Sequence, residues 1–292
     1  MKHAILGAGA IGGLMGTRLG SLGEDVTLIV RPGEVADYPK SLSLESPSGT
    51  ITGPAKVAAR VSQIFDVLWV ATKTYQLEGA LEVVDTTPNM LVPLLNGVDH
   101  VAALRARFGQ DRVVPATIAV EADRSAAARF VQRSPARLHI AASGEPALKD
   151  LVARLQEEGL QCQFIANEAT LLWSKLCFLE PLALATTASG KNLGEIRADP
   201  GWQAKLDSAV AEAWAVATKA GAQVDAEKLR TIFVGWAPTL RASMAKDLAA
   251  GRRLELDGIA GPVVRGGTRY GIPVPTTAGL IATIESLITQ CT

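Results

Sequence analysis

Residues 3–31 constrain this chain more than any other stretch. HAIL (residues 3–6) is an apolar strand, GAGAIGG (residues 7–13) a glycine-rich turn that opens a helix, and VTLIVR (residues 26–31) a second strand. A G-x-G-x-x-G pattern in strand–turn–helix–strand order predicts a nucleotide-binding fold rather than a bare turn. Gly7 allows the tight turn, Gly9 lets backbone approach a pyrophosphate, and Gly12 lets the helix pack on the strand. Ala10 and Ile11 lie in the same opening turn, where a helix N-terminus offers unpaired N–H groups and partial positive charge to phosphates. The second strand ends in Val30 and Arg31 rather than in an acidic residue that would take a ribose hydroxyl. Arginine there suits a 2′-phosphate, so the expected cofactor is NADP(H).

The 292 residues are enough for one large or two ordinary domains, and 48% are hydrophobic, so a sizeable core is feasible. Lys+Arg and Asp+Glu both number 29, and no basic block stands out, which argues against nucleic acid as a partner. Arg252-Arg253 and the arginines between Arg124 and Arg137 read as solvated surface. The opening strand argues against a cleavable signal sequence. The longest apolar run, residues 171–188, is interrupted by Lys175, Glu180 and Pro181, which argues against a membrane span. Cys162, Cys177 and Cys291 show no paired spacing and read as free thiols of a cytoplasmic protein. His3, His100 and His139 are dispersed, so no metal site is expected and acid–base work falls to Lys, Glu, Asp or Tyr.

The first half alternates strand and helix signals. SLSLE and TITG predict a hairpin around Pro47-Ser48-Gly49, and strands are expected over 65–72, 90–96, 113–120, 137–142 and 161–166, with a helix over 146–158. Such alternation predicts an α/β fold with a doubly wound parallel sheet of Rossmann type. From residue 168 the pattern is helical only: 206–220 ending at Gly221, 227–251, 254–270, and 278–290 after GIPVPTT. The expected organisation is a nucleotide-binding domain over 1–167 and an all-helical domain over 168–292. Apolar helix faces in the second domain leave room for a homodimer.

Ligands of open doubly wound sheets bind beyond the carboxyl ends of the strands. Lys73 in Thr72-Lys73-Thr74 and Asn96 in Asn96-Gly97 occupy such places, although each also reads as an ordinary loop lysine and a turn. Lys175 lies among Leu171, Leu172, Trp173, Leu176, Phe178 and Leu179. Burial there would lower its pKa toward a range useful for proton transfer, unless its stem carries the ammonium to the surface. Glu180, five residues on, need not share its face. Glu255, between Leu254 and Leu256, is a candidate distant partner, and Ser243 by itself reads as a helix-surface serine.

Taken in order, GAGAIGG, Arg31, ATKTYQ (71–76), LLNGV (94–98), SKLCF (174–178), LGEI (193–196), SMAKD (243–247) and LELDGI (254–259) resemble the ketopantoate reductases, the NADPH-dependent 2-dehydropantoate 2-reductases. The resemblance runs along nearly the whole chain. It implies that Lys175 protonates the substrate carbonyl oxygen as hydride arrives at carbon. Glu255 would interact with that lysine and with substrate, and Ser243 would bind near the substrate carboxylate. Lys73 and Asn96 would contact cofactor, Asn96 also placing substrate, while Arg31 would select the 2′-phosphate. An ammonium both attracts an anionic 2-oxo acid and stabilises the developing alkoxide.

The family carries asparagines four and eight residues after the lysine, lining the substrate site; here those positions are Leu179 and Ala183. Two polar contacts to substrate are thus replaced by apolar surface, which predicts weakened recognition of ketopantoate and a more apolar oxo or imino substrate. Two other readings stay open: a different oxidoreductase of the same architecture, such as a hydroxy-acid dehydrogenase or imine reductase, and a non-catalytic NADP(H)-binding sensor.

Overall fold

The computed structural model describes residues 1–290, so Cys291 lies outside the described residues. The chain divides into two compact units. The first comprises Met1–Leu95 and His100–Ala166; the second comprises Asn96–Asp99 and the chain from Asn167 onward.

The first unit runs through β1 (Lys2–Leu6), α1 (Ala10–Ser21), β2 (Asp25–Ile29), β3 (Ser41–Ser46), β4 (Gly49–Pro54), β5 (Lys56–Ala58), β6 (Val67–Val70), α2 (Leu77–Leu81), β7 (Met90–Pro93) and α3 (His100–Phe108). It continues with β8 (Ala116–Ala119), β9 (Ala122–Ala126), β10 (Arg129–Gln132), β11 (Arg137–Ala141), α4 (Glu145–Glu157) and β12 (Gln161–Ile165). Five strands form an all-parallel sheet in the order β5-β2-β1-β6-β7. The chain steps outward from β1 to β2 and β5, then returns to β6 on the other side of β1. That reversal opens a crevice at the carboxyl ends of β1 and β6, where a doubly wound sheet takes its ligand.

The strands expected to complete that sheet do something else. β8, β11 and β12 form a separate three-stranded sheet in which β11 is antiparallel to β8 and parallel to β12. A single parallel bridge, Leu91 to Val113, reaches it from the first sheet. The reason lies between β8 and β11, where the chain is occupied by the β9–β10 hairpin. Without a crossover helix the next strand cannot return parallel.

The β3–β4 hairpin forms as expected and joins β10 and β9 in a third sheet, ordered β4-β3-β10-β9. This sheet covers α1, which also packs on β1 and β2. A helix enclosed from both sides needs small residues, and α1 supplies them. A Cβ at Gly13 would stand 2.0 Å from the Phe130 ring, and one at Gly20 would stand 2.6 Å from the Pro54 carbonyl oxygen.

The second unit is helical: α5 (Glu168–Ser189), α6 (Leu193–Ala198), α7 (Pro200–Lys219), α8 (Ala226–Thr231), α9 (Ser243–Ala249), α10 (Leu256–Tyr270) and α11 (Pro275–Gln290). α5 is its axle, packed against α6, α7, α9, α10 and α11. Asn167 caps its start by accepting from the Thr170 N–H at 2.7 Å, and Gly190, at φ 70°, ends it in the left-handed region. The single helix expected over 227–251 is two short helices, α8 and α9, with residues 232–242 irregular between them. Pro238 removes a backbone donor there, and Arg197 draws the carbonyls of Phe233 and Trp236 to its guanidinium. α11 begins three residues before its expected start because Glu212, on α7, accepts from the Thr276 and Thr277 N–H groups at 2.8 Å each. Among the described residues no helix is long and apolar enough to cross a membrane.

Candidate active site

The helical unit assembles three of the expected residues. Lys175 projects from the second turn of α5, on a side where Ser174, Lys175, Phe178 and Leu179 are half-buried while Leu171, Leu172, Leu176 and Cys177 are in the core. Its ammonium donates to Asn96 Oδ1 at 2.9 Å. Lysine offers only donors, so the Asn96 amide turns its oxygen to Lys175 and its NH2 the other way. That NH2 donates to Glu255 Oε2 at 3.4 Å. Glu255 is 4% exposed and stands at the N-cap of α10, yet its carboxylate is not spent on capping the helix. The three residues come from segments 79 and 159 positions apart along the chain.

Burial lowers the Lys175 pKa from 10.5 to about 8, while the Glu255 charge pulls it up again. Desolvation wins, which leaves the lysine mostly an ammonium at neutral pH and able to release its proton without a large penalty. Asn96 is therefore the link between the Lys175 ammonium and the Glu255 carboxylate.

Asn96 belongs to a four-residue loop that follows β7 and is fastened along α10. Gly97, at φ 81°, lies so close to α10 that a Cβ would stand 2.0 Å from the Gly258 carbonyl oxygen. Asn96-Gly97 is thus a turn whose asparagine also joins Lys175 to Glu255. Asp99 Oδ2 accepts from Arg265 Nε at 2.9 Å and from Arg265 Nη2 at 2.7 Å, and Arg265 Nη1 reaches Asp257 Oδ1 at 2.6 Å.

The nucleotide-type unit sets out the cofactor candidates. Gly7 has φ 104°, and a Cβ there would stand 2.8 Å from the Ala71 carbonyl oxygen, so the turns after β1 and β6 touch. A Cβ at Gly12 would stand 1.9 Å from the Gly7 carbonyl oxygen. Gly9 differs: apart from its chain neighbours, no atom of the described residues lies within 4 Å of where its Cβ would be. Nothing in the protein itself demands glycine there, whereas a pyrophosphate lying on the turn would. Gly9 is the N-cap of α1 and no side chain caps the helix, so the N–H groups of Ala10 and Ile11 open the helix without a side-chain acceptor. These features fit a dinucleotide phosphate. Arg31 is exposed immediately after β2, and Lys73 is half-buried after β6, at the start of the single turn Thr74–Gln76.

Arg124 escaped the sequence reading, which placed it on solvated surface. It stands on β9, donates to the Ala8 carbonyl at 3.1 Å inside the glycine turn, and stacks over the Tyr38 ring at 5.8 Å. An arginine in a polar strand such as ADRSA gives no sign of the turn it reaches.

The remaining candidates fall in different surroundings. Leu179 is half-buried one helical turn beyond Lys175, beside Phe178, whose ring meets Trp236 edge-on at 5.3 Å. Ala183, expected in the same substrate wall, is 1% exposed within the core, because α5 is covered on all sides from Pro181 to Ala188. Ser243 is exposed at the first residue of α9. Glu180 is wholly buried, with Thr277 and Glu212 as its polar neighbours, so it does not serve Lys175.

Comparison with known proteins supplies the family. Residues 3–145 match the model of the ketopantoate reductase PanE/ApbA family, and residues 168–287 match the model of its C-terminal region. The chain belongs to the ketopantoate reductase family. A 2-dehydropantoate 2-reductase of Caulobacter vibrioides is 30% identical over 291 residues, covering 97% of this chain and 98% of that one. A ketopantoate reductase structure from Ralstonia eutropha superposes with a TM-score of 0.87 at 26% identity, covering 99% of both chains. A D-mandelate dehydrogenase, solved with NADH and anilino(oxo)acetate, shares the fold with a TM-score of 0.85 at 22% identity and 99% coverage of both chains. As a ketopantoate reductase family member, the chain is an oxidoreductase acting on a CH–OH/C=O group.

Proposed function

We propose that this chain is an NADPH-dependent reductase of a 2-oxo acid, with Lys175 as its proton donor. The observation that carries this reading is the Lys175–Asn96–Glu255 arrangement, in which a half-buried lysine with a pKa of about 8 is held by an amide bonded to a carboxylate. Gly7, Gly9, Ala10, Ile11 and Gly12 would hold the pyrophosphate, Arg31 the 2′-phosphate, and Lys73 and Asn96 the remainder of the dinucleotide. The bound nicotinamide supplies hydride to the carbonyl carbon. The chain's own work is to place the carbonyl oxygen on the Lys175 ammonium, neutralise the charge that develops there and release one proton to it. Glu255, through Asn96, keeps the lysine charged and oriented between turnovers. Ser243 would meet the substrate carboxylate, as in the family.

The substrate belongs to the same proposal. Leu179 and the edge-packed pair Phe178–Trp236 give the neighbourhood of Lys175 on α5 an apolar and aromatic character. We propose a 2-oxo acid with an apolar side group in preference to ketopantoate, whose hydroxyl finds Leu179 in place of an amide. The fold is not tied to ketopantoate, since a D-mandelate dehydrogenase shares it. A structure of this fold is of a dimeric ketopantoate reductase from Staphylococcus aureus, and a homodimer is proposed for this chain by extension.

The test is an NADPH-oxidation screen over ketopantoate, 2-oxo acids with aliphatic and aromatic side groups, and cyclic imines, repeated with NADH. An apolar 2-oxo acid should exceed ketopantoate in kcat/KM. A ketopantoate value of about 10⁴ M⁻¹s⁻¹ or more would remove the altered-substrate part. Cofactor binding without oxidation of any substrate would favour a sensor.

A further inference from the structure

We infer that Arg265 is a positioning residue for the proton donor: by gripping Asp99 it lays loop 96–99 along α10 and keeps the Asn96 amide between Lys175 and Glu255. The inference rests on the assignment of Lys175 as donor, but its geometry is independent of any substrate.

The loop meets α10 at three successive points. Asn96 bonds Glu255 at the N-cap, Gly97 lies against Gly258 in the first turn, and Asp99 is taken by Arg265. The first contact is long, at 3.4 Å, and the second is van der Waals packing between two glycines; the third is a charged fork at 2.9 and 2.7 Å. Arg265 therefore supplies the strong, directional fastening. Its third nitrogen donates to Asp257 Oδ1 at 2.6 Å, one residue from Gly258, so the guanidinium is oriented from two sides. Space for this arrangement comes from Gly261. A Cβ there would stand 2.4 Å from Arg265 Nη2 and 2.6 Å from Asp257 Oδ1, which means that the arginine folds back over a bare stretch of its own helix.

Arg265, Asp99 and Asp257 are half or more exposed, at 51%, 52% and 85% of their side-chain surface, so the network adds little to stability. Its value is directional. A lysine would be one compact charge on a flexible stem and could not bridge both carboxylates. The pKa of Lys175 reports on the grip. Glu255, on α10, is the charge that acts on Lys175, and desolvation is what holds its pKa down. If the loop loosens, water reaches Nζ, takes over as acceptor from Asn96 Oδ1 and removes the desolvation.

The experiment uses the full chain with Arg265→Gln, Arg265→Lys and Gly261→Ala, the last displacing the guanidinium while leaving the arginine in place. Two readouts are taken: the alkaline limb of the kcat/KM profile, and the pH dependence of Lys175 acylation by a limiting amine-reactive reagent, read by mass spectrometry. All three variants should melt near the wild type. Their kcat should fall roughly ten- to a hundredfold, and the Lys175 pKa should rise by about half a unit or more in both readouts. Arg265→Lys should not rescue. An unchanged Lys175 pKa in Arg265→Gln and Gly261→Ala would overturn the inference, whatever their turnover. Failure of the functional assignment looks different: Lys175→Ala would leave turnover intact, while the acylation profile of the Arg265 variants would still move. Should one variant fold poorly, Asp99→Asn breaks the same grip from the loop side and is read in the same way.

Discussion

Lys175 combines two properties that are individually common and jointly informative: a pKa of about 8 and a fixed amide acceptor at 2.9 Å. Lys175→Ala should lower kcat by several orders of magnitude with NADPH binding retained, measured by steady-state turnover beside fluorescence titration. Under the proposed role of Lys175 the donor must be protonated, so reduction should decline as pH rises through about 8, and the reverse oxidation should gain on the same limb. The two arginines at the nucleotide-type unit should separate by cofactor. Arg31→Ala should weaken NADPH roughly ten- to a hundredfold and leave NADH nearly untouched, whereas Arg124→Ala, acting at the glycine turn, should weaken both alike. Equal losses in both variants would assign the 2′-phosphate elsewhere. From residues alone, Lys175 and Asn96 each carried an ordinary reading and Glu255 was no more than a candidate distant partner, because contacts spanning 79 and 159 residues leave no local trace. They became legible as a set only through the family resemblance. The Arg265 grip and Arg124 had no such help and became visible through contacts alone.

At the scale of the element, α1 shows how one glycine-rich stretch serves two masters. Gly13 is glycine because Phe130 leaves no room, and Gly9 is glycine although nothing in the protein crowds it. Gly13→Ala should therefore cost about 1–3 kcal/mol by overpacking and lower the melting temperature. Gly9→Ala should melt like the wild type without ligand and lose NADPH affinity. A drop in ligand-free stability for Gly9→Ala would show that its role is internal. Elements with a strong local period were readable in advance: β1, β2, the β3–β4 hairpin, α4 and α10. Those that failed did so for tertiary reasons. β9 and β10 are too polar to announce themselves, α11 starts early on a cap borrowed from α7, and the 227–251 pattern breaks where Arg197 collects carbonyls. β8, β11 and β12 were found as strands, but the direction of β11 depends on what intervenes in the chain.

At the scale of the whole molecule, Glu180 is a buried carboxyl that the fold holds at a cost. It is fully buried; burial raises its pKa well above 4.5, Thr277 works against that, and Glu212 adds to it. A carboxyl kept neutral in the folded state and ionised in the unfolded chain binds its proton more tightly when folded, so its contribution to stability is present below pH 4.5 and is lost as pH rises through the folded value. Glu180→Gln should remove that contribution. Thermal melts across pH should show the variant gaining on the wild type by up to about 1.4 kcal/mol per pH unit above the ordinary carboxylate range. A constant difference between the two proteins would mean that Glu180 stays charged. The enclosure of α1 has a consequence of another kind, in the order of events at the ribosome. β3 and β4 follow α1 closely in the chain, yet β10 and β9, which complete its cover, come only after β8, and among the described residues its buried Arg18 donates to Gln132 and to the Glu158 carbonyl. A nascent chain that ends before β9 thus carries this turn on a helix whose second face is only partly covered and whose guanidinium lacks the acceptors it has in the folded unit. Truncations ending before β10 should aggregate or recruit chaperones, and those ending after β12 should not.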